Sequence, residues 1–223
     1  MVEDLLHSDW TILELYAQIE WLQKIELEKI KPVTSVHEIP YRDLKKISNL
    51  ASPHNVIAVV KMPDVTDSFS PNSEDLIIAL DGIQDPGNMG TIIRTANWFG
   101  IDSIICSETC VDIYNPKVIQ ASMSGFIGLK ILNNNLEEAL ILGKKKGLRI
   151  FGTFPEGKSI YDFDLPQGGI LIFGNESKGL SPVLTKIIDY KISIPAIIKK
   201  LSPSVESLNV ATAAGIICAE FRN

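Results

Sequence analysis

From residue 76 onward the sequence repeats one alternation, a short unbroken apolar run followed by a stretch with helical spacing. The runs are LIIAL (76–80), SIIC (103–106), LKILN (129–133), RIFGTF (149–154), GILIFG (169–174) and YKISIP (190–195). The spacing predicts helices around 89–99, 115–123, 136–146, 181–188 and 207–221. A strand with one wet face would alternate apolar and polar residues, and these runs do not. The pattern therefore predicts an α/β fold, a mostly parallel sheet covered by helices on both faces. Ligands of such sheets sit beyond the carboxyl ends of the strands. That rule selects the turns after Asp81, Phe154, Gly174 and Pro195.

The polar stretch DVTDSFSPNSED (64–75) separates this region from what precedes it. Upstream, TILELYAQIEWLQKI (11–25) places Ile12, Leu13, Tyr16, Ile19 and Leu22 at three- and four-residue spacing, which predicts a helix. VIAVVKM (56–62) reads as a β-branched strand. The expected organisation is a small α/β module over 1–65, short of an opening element, a linker over 66–75, and an α/β domain over 76–223.

Apolar residues make up 45% of the chain and charged residues 22%, enough to build a core. No apolar stretch approaches the ~18 residues of a membrane span, and MVEDLLHSDW lacks the order of a signal peptide. Cys106, Cys110 and Cys218 form neither a CxxC nor an even framework, the pattern of reduced thiols in a cytoplasmic protein. No group of His, Cys and acids has ligand spacing, so no metal is expected. The net charge of −6 argues against a wholesale electrostatic nucleic-acid binder. Any such binding would come from local runs: Arg42, Lys45 and Lys46, Lys144 to Lys146, or Lys199 and Lys200. Each is otherwise a solvated face.

Three nucleotide readings compete. The glycines after the first strand, Gly82, Gly87 and Gly90, miss the GxGxxG spacing of a dinucleotide fold. GTFPEGKS (152–159) fits the phosphate-loop pattern GxxxxGK[ST], which would make the chain an NTPase. Such a loop must open a helix, yet IYDFDLPQGG follows, and Pro155 removes an amide from the cradle. The third reading joins several loops. NMGTIIR sets Asn88, Gly90 and Arg94 in an N-x-G-x-x-x-R pattern, GILIFGNESKGLS presents Glu176 after Gly174, and ISIP leads to SLNVATAAGIICAEF with Ser207, Leu208 and Asn209. Singly, Asn88 is readable as an N-cap, Glu176 as a turn acid and Ser207 as a helix cap.

Together, in this order, the three motifs resemble the SpoU (TrmH-type) RNA 2′-O-ribose methyltransferases of the SPOUT class, over nearly all of residues 75–223. The first region, with LASPHNVIAVVKMP, is similar to that family's L30e-like RNA-binding module. The resemblance implies a parallel sheet with a C-terminal trefoil knot, against the general rule that chains do not knot. It implies S-adenosylmethionine as cofactor, contacted by Thr153, Gly174, Ile194 and Leu208 largely through backbone, with a bare Gly174 admitting the adenine. It implies structured RNA, ribosomal or transfer, as substrate, and Arg94, Asn88, Glu176, Ser207 and Asn209 as catalytic residues. Arg94 should share the space of Asn88 on a helix starting near Met89. A homodimer is implied too, with Val210, Ala213, Ala214, Ile217 and Cys218 as a candidate interface stripe. A catalytically idle RNA-binding relative is the alternative. One departure is AIIKKLSPSVE (196–206), a long link without glycine where the family has a short one, which lets Lys199 and Lys200 reach RNA phosphate.

Overall fold

Six parallel strands carry the larger of two units in the computed structural model, which describes residues 1–30, 33–62, 69–197 and 207–223. The units divide at Met1–Thr66 and Asp67–Asn223. Lys199, Lys200 and the 196–206 link lie wholly or mostly outside the described residues, as does the first part of the 64–75 stretch.

The small unit holds helix α1 (Val2–Leu6), strand β1 (Ile12–Ala17), short helices α2 (Ile19–Leu22) and α3 (Leu27–Ile30), strand β2 (Ser35–Glu38), helix α4 (Tyr41–Ile47) and strand β3 (Val56–Val60). The sheet order is β2-β1-β3, with β1 parallel to β2 and antiparallel to β3. This corrects the helix expected over 11–25. A register shift between Ile12 and Glu14 lets Ile12, Leu15 and Ala17 all bury. A bulge of this kind puts a three-residue gap into a strand, and over so short a run that imitates helical spacing.

In the large unit come β4 (Leu76–Asp81), α5 (Pro86–Trp98), β5 (Ser103–Cys106), α6 (Pro116–Ser122), β6 (Lys130–Asn133), α7 (Leu136–Lys145), β7 (Ile150–Ser159), β8 (Gly169–Gly174), α8 (Pro182–Thr185), β9 (Tyr190–Ser193) and α9 (Val210–Phe221). The strand order is β6-β5-β4-β8-β7-β9, every pair parallel. Successive side chains of a strand face opposite ways, so each central strand feeds two cores. Ile77, Ala79, Ile170 and Ile172 pack with Leu136, Leu140 and Leu184 of α7 and α8. On the other face, Phe151 meets Phe221 of α9 edge to face at 5.0 Å. Fully burying a Leu, Ile or Phe contributes about 1.5–3 kcal/mol, and β4 from Leu76 to Leu80 is wholly buried. Helix α9 packs beside α5 and against β8.

Ala214, Ile217 and Cys218 are buried within this unit. They belong to its own core, so that part of the supposed interface stripe is corrected. No helix among the described residues is long and apolar enough to cross a membrane. The strand β7 runs on past Phe154 to Ser159, because Thr153 and Lys158 both pair with Ile192 and residues 154–157 bulge between them. GTFPEGKS is thus bulged strand followed by a single 3-10 turn, Ile160–Asp162. It opens no helix, and the phosphate-loop reading falls.

Candidate functional site

β4 and β8 are neighbours, yet the chain proceeds from β4 to β5 and β6 on one side while β7 and β9 lie beyond β8 on the other. Strand order reverses between them, which opens a crevice past their carboxyl ends. Asp81 and Gly174 are paired across that line.

Two side chains tie the loops leaving these strands. Asp81 Oδ2 accepts a hydrogen bond from the Ser181 amide at 2.7 Å. Asn175 donates through Nδ2 to the Gly82 carbonyl at 2.8 Å, and its Oδ1 accepts from the amides of Ser177 and Lys178, both at 3.0 Å. This is an Asx turn, and it sets Glu176 on a fixed loop. A Cβ on Gly174 would lie 2.5 Å from the Gly179 carbonyl carbon. The expected reason for that glycine is therefore corrected: the space is taken by the loop's own backbone, not left for a ring.

Helix α5 opens with Pro86 after an Asp85 N-cap, whose Oδ1 accepts from the Asn88 amide at 2.7 Å. Asn88 is not the cap, and the helix begins three residues before Met89. The cap leaves the Asn88 side chain free for tertiary work. Its Nδ2 donates to Glu176 Oε1 at 2.9 Å, and its Oδ1 accepts from Asn209 Nδ2 at 2.8 Å. Asn209 caps α9 with its other end, Oδ1 accepting from the amides of Ala211 and Thr212 at 2.9 and 3.2 Å. That role corrects the helix start from Ser207 to Val210. Three residues from three distant segments thus form one hydrogen-bonded row at the crevice.

Arg94 is elsewhere. Six residues at ~100° each carry it about 120° around the helix from Asn88. It is exposed and makes no hydrogen bond or ion pair with any described residue. The shared space expected for Asn88 and Arg94 is not found within one chain. Gly125 lies flat on the α5 backbone here, since a Cβ on it would come within 2.8 Å of Arg94 Cα. The turn that delivers it holds Met123 and Ser124 at φ 48° and 72°, a conformation costing of order 1–3 kcal/mol per residue. Trp98, one turn beyond Arg94 on the same outer ridge, is 83% exposed.

Thr153, Gly174 and Ile194 stand at or just past the β7, β8 and β9 pairing, three adjacent strands. Thr153 Oγ1 donates to the Ile172 carbonyl at 3.0 Å, and its main chain stands opposite Ile192 in the β7–β9 ladder. Leu208 is half exposed and directly precedes Asn209; Ser207 is exposed and outside the hydrogen-bonded row. Among the described residues no group of three or more His, Cys, Asp or Glu is placed to hold a metal ion.

Sequence reasoning missed Asn175 and the side-chain role of Asp81. An acid closing a wholly apolar strand was the available signal for Asp81. Under the Gly82 turn, the Cys110 thiol is pulled down to about 6, chiefly by the Cys106 thiol and with help from Ser107 and the Ile83 and Gly82 amides, against the effect of burial. Cys106 is pushed well above the ordinary thiol value by Cys110 and by burial.

Comparison with known proteins gives a consistent picture. Residues 75–219 match the SpoU rRNA Methylase family. An uncharacterised tRNA/rRNA methyltransferase of Synechocystis is 33% identical over 80% of the chain, which spans 64% of that relative's length. The 23S rRNA (guanosine(2553)-2′-O)-methyltransferase RlmP of Bacillus subtilis is 27% identical over 100% of the chain and 85% of its own length. The SpoU methyltransferase AviRb of Streptomyces viridochromogenes, solved with AdoMet, superposes with a TM-score of 0.81 at 27% identity, covering 99% of this chain and 86% of that one.

Proposed function

The chain belongs to the SpoU rRNA Methylase family, and from that premise we propose that it methylates the 2′-hydroxyl of a ribose in structured RNA, ribosomal or transfer. The observation that carries this reading is the Asn88–Glu176–Asn209 row at the strand-order reversal, which joins all three motif loops. When bound, S-adenosylmethionine supplies a sulfonium methyl open to in-line attack by an oxygen. Thr153, Gly174, Ile194 and Leu208 would hold it, mainly by backbone groups. The residues of the row, with the Ser207 hydroxyl, orient the ribose. Arg94, which stands off that row in its own chain, contributes from the second subunit of a homodimer a cation for the hydroxyl oxygen and its phosphate.

A melting comparison tests the cofactor assignment. A ligand at ~100-fold its dissociation constant stabilises the folded state by about 2.7 kcal/mol. S-adenosylmethionine or its demethylated product should raise the melting temperature, and ATP with magnesium should leave it unchanged. The reverse pattern defeats the proposal. Tritiated methyl transfer into bulk RNA separates an active enzyme from an idle RNA-binding relative.

The finer features of the family form part of the same proposal. A homodimer is supported by the outer α5 ridge, where Trp98 is exposed beside an unpartnered Arg94; sedimentation giving only monomer would refute it. A trefoil knot is supported by the return of the chain from the outermost strand β9 to α5 and β8. Pulling the two ends apart should then leave the contour short of a fully extended chain.

The module over 1–65 serves RNA binding in this reading. Helix α4 carries Arg42, Lys45 and Lys46, although Asp43 pairs with Lys46 at 2.7 Å and lies 3.6 Å from Arg42. Deleting the module should weaken RNA affinity and flatten its salt dependence, by a slope of about 0.7–0.9 per lost phosphate contact. Cofactor affinity should not change. Loss of cofactor binding with RNA affinity intact would reverse the assignment.

A further inference from the structure

Helix α9 is tied to α5 at both ends. At the amino end, Asn209 meets Asn88 at 2.8 Å. At the carboxyl end, Arg222 donates from Nε to the Phe99 carbonyl at 3.0 Å and from Nη2 to the Gly100 carbonyl at 2.5 Å. Phe99 is the C-cap of α5, so its carbonyl belongs to the group that a helix end leaves without intrahelical partners, and Gly100 directly follows it. A cation suits the negative end of the helix dipole. Arg222 also lies 3.6 Å from Asp102, whose Oδ2 accepts from the Leu76 amide at the start of β4. The two helices run parallel, because Asn88 faces Asn209 and Phe99 faces Arg222.

The first half of α9 is Val210, Ala211, Thr212, Ala213, Ala214 and Gly215, and after Val210 its side chains are short. A Cβ on Gly215 would touch nothing within 4 Å. Short side chains of this kind do little to key one helix along another, since axial register comes from ridges fitting grooves. The end ties therefore carry much of that register, and the forked guanidinium, fixed on two successive carbonyls, is the more directional of the two.

We propose that Arg222 is a positioning residue for the methyl-transfer site: it sets the axial register of α9 and so keeps the Asn209 amide on Asn88, about 20 Å away along the helix. This inference rests on the function proposed above.

Arg222→Ala and Arg222→Lys test it in the full chain, by methyl transfer at saturating S-adenosylmethionine and by amide hydrogen exchange. Arg222→Ala should lower kcat about tenfold with KM for RNA within twofold of the parent. Exchange should quicken at Ala211 and Thr212, whose amides the Asn209 cap holds, while the later turns of α9 stay protected. Arg222→Lys keeps the charge but loses the fork, and should recover part of kcat. Unchanged kcat and unchanged exchange in Arg222→Ala would overturn the inference. So would faster exchange along the whole of α9, which marks a helix that has merely come loose. An inactive parent protein would instead sink the proposed reaction, and the exchange data would still report on the register.

Discussion

Replacing Arg94 with alanine should lower turnover ~100-fold or more while leaving S-adenosylmethionine binding intact. Losing one preorganised charge contact to a developing oxyanion costs about 3 kcal/mol. A guanidinium stays charged at neutral pH and is a poor proton acceptor. Its useful work is electrostatic: it lowers the pKa of the ribose hydroxyl and holds the neighbouring phosphate through two N–H donors. Arg94→Lys keeps the charge without the fork and should rescue little. Arg94 is exposed and free of described partners, so its removal leaves no buried group unsatisfied and the melting temperature should hardly move. Single-turnover methyl transfer beside isothermal titration of the cofactor checks both halves. Near-normal transfer by Arg94→Ala would take the residue out of the mechanism.

Asn88 should give the second largest effect, by a different route. Its amide donates to Glu176 and accepts from Asn209, so alanine removes the centre of the row in one step. The backbone should not respond, because the α5 cap is the Asp85 side chain and survives. We expect Asn88→Ala to lower kcat by roughly 10- to 100-fold, with a stability loss of only about 0.5–1.5 kcal/mol per lost hydrogen bond. Asn88→Asp should be worse at pH 8 than Asn88→Ala. A carboxylate cannot donate to Glu176, and it repels it. The extra loss should shrink as pH falls toward the ordinary carboxylate range of about 4, where the introduced group gains a proton and with it a donor. Melting curves of the two variants between pH 4 and 8 would show the gap between them narrow. If Asn88→Asp equals the parent at pH 8, the row does not position the reaction.

Much of the large unit was legible before any coordinates. The apolar runs of β4, β5 and β8 carry their own signal, because a strand covered on both faces admits few polar side chains. Asp81 and Gly174 are legible the same way, as the points where such runs stop. The failures have physical causes as well. The strand over Ile12–Ala17 imitates a helix in sequence because a bulge shifts its burial pattern by one residue. Pro155 and Gly157 signal a turn locally and so an end of β7 at Phe154, whereas the sheet absorbs them as a bulge against Ile192.

The sequence by itself determined most strands and helices of the large unit, the motif residues and the family they belong to, since each is written in local composition or in short-range order. Which residues touch was decided only by the tertiary structure. Asn88, Glu176 and Asn209 meet because the strand order reverses between β4 and β8 and because α9 returns to lie along α5. Sequence spacing carries no trace of a reversal. The same packing turned Arg94 away from that row, filled the space beside Gly174 with the loop's own backbone, and sent Ala214, Ile217 and Cys218 into the core. The direction in which a side chain points depends on where its helix begins and what lies beside it, and both are set by contacts between segments far apart in the chain.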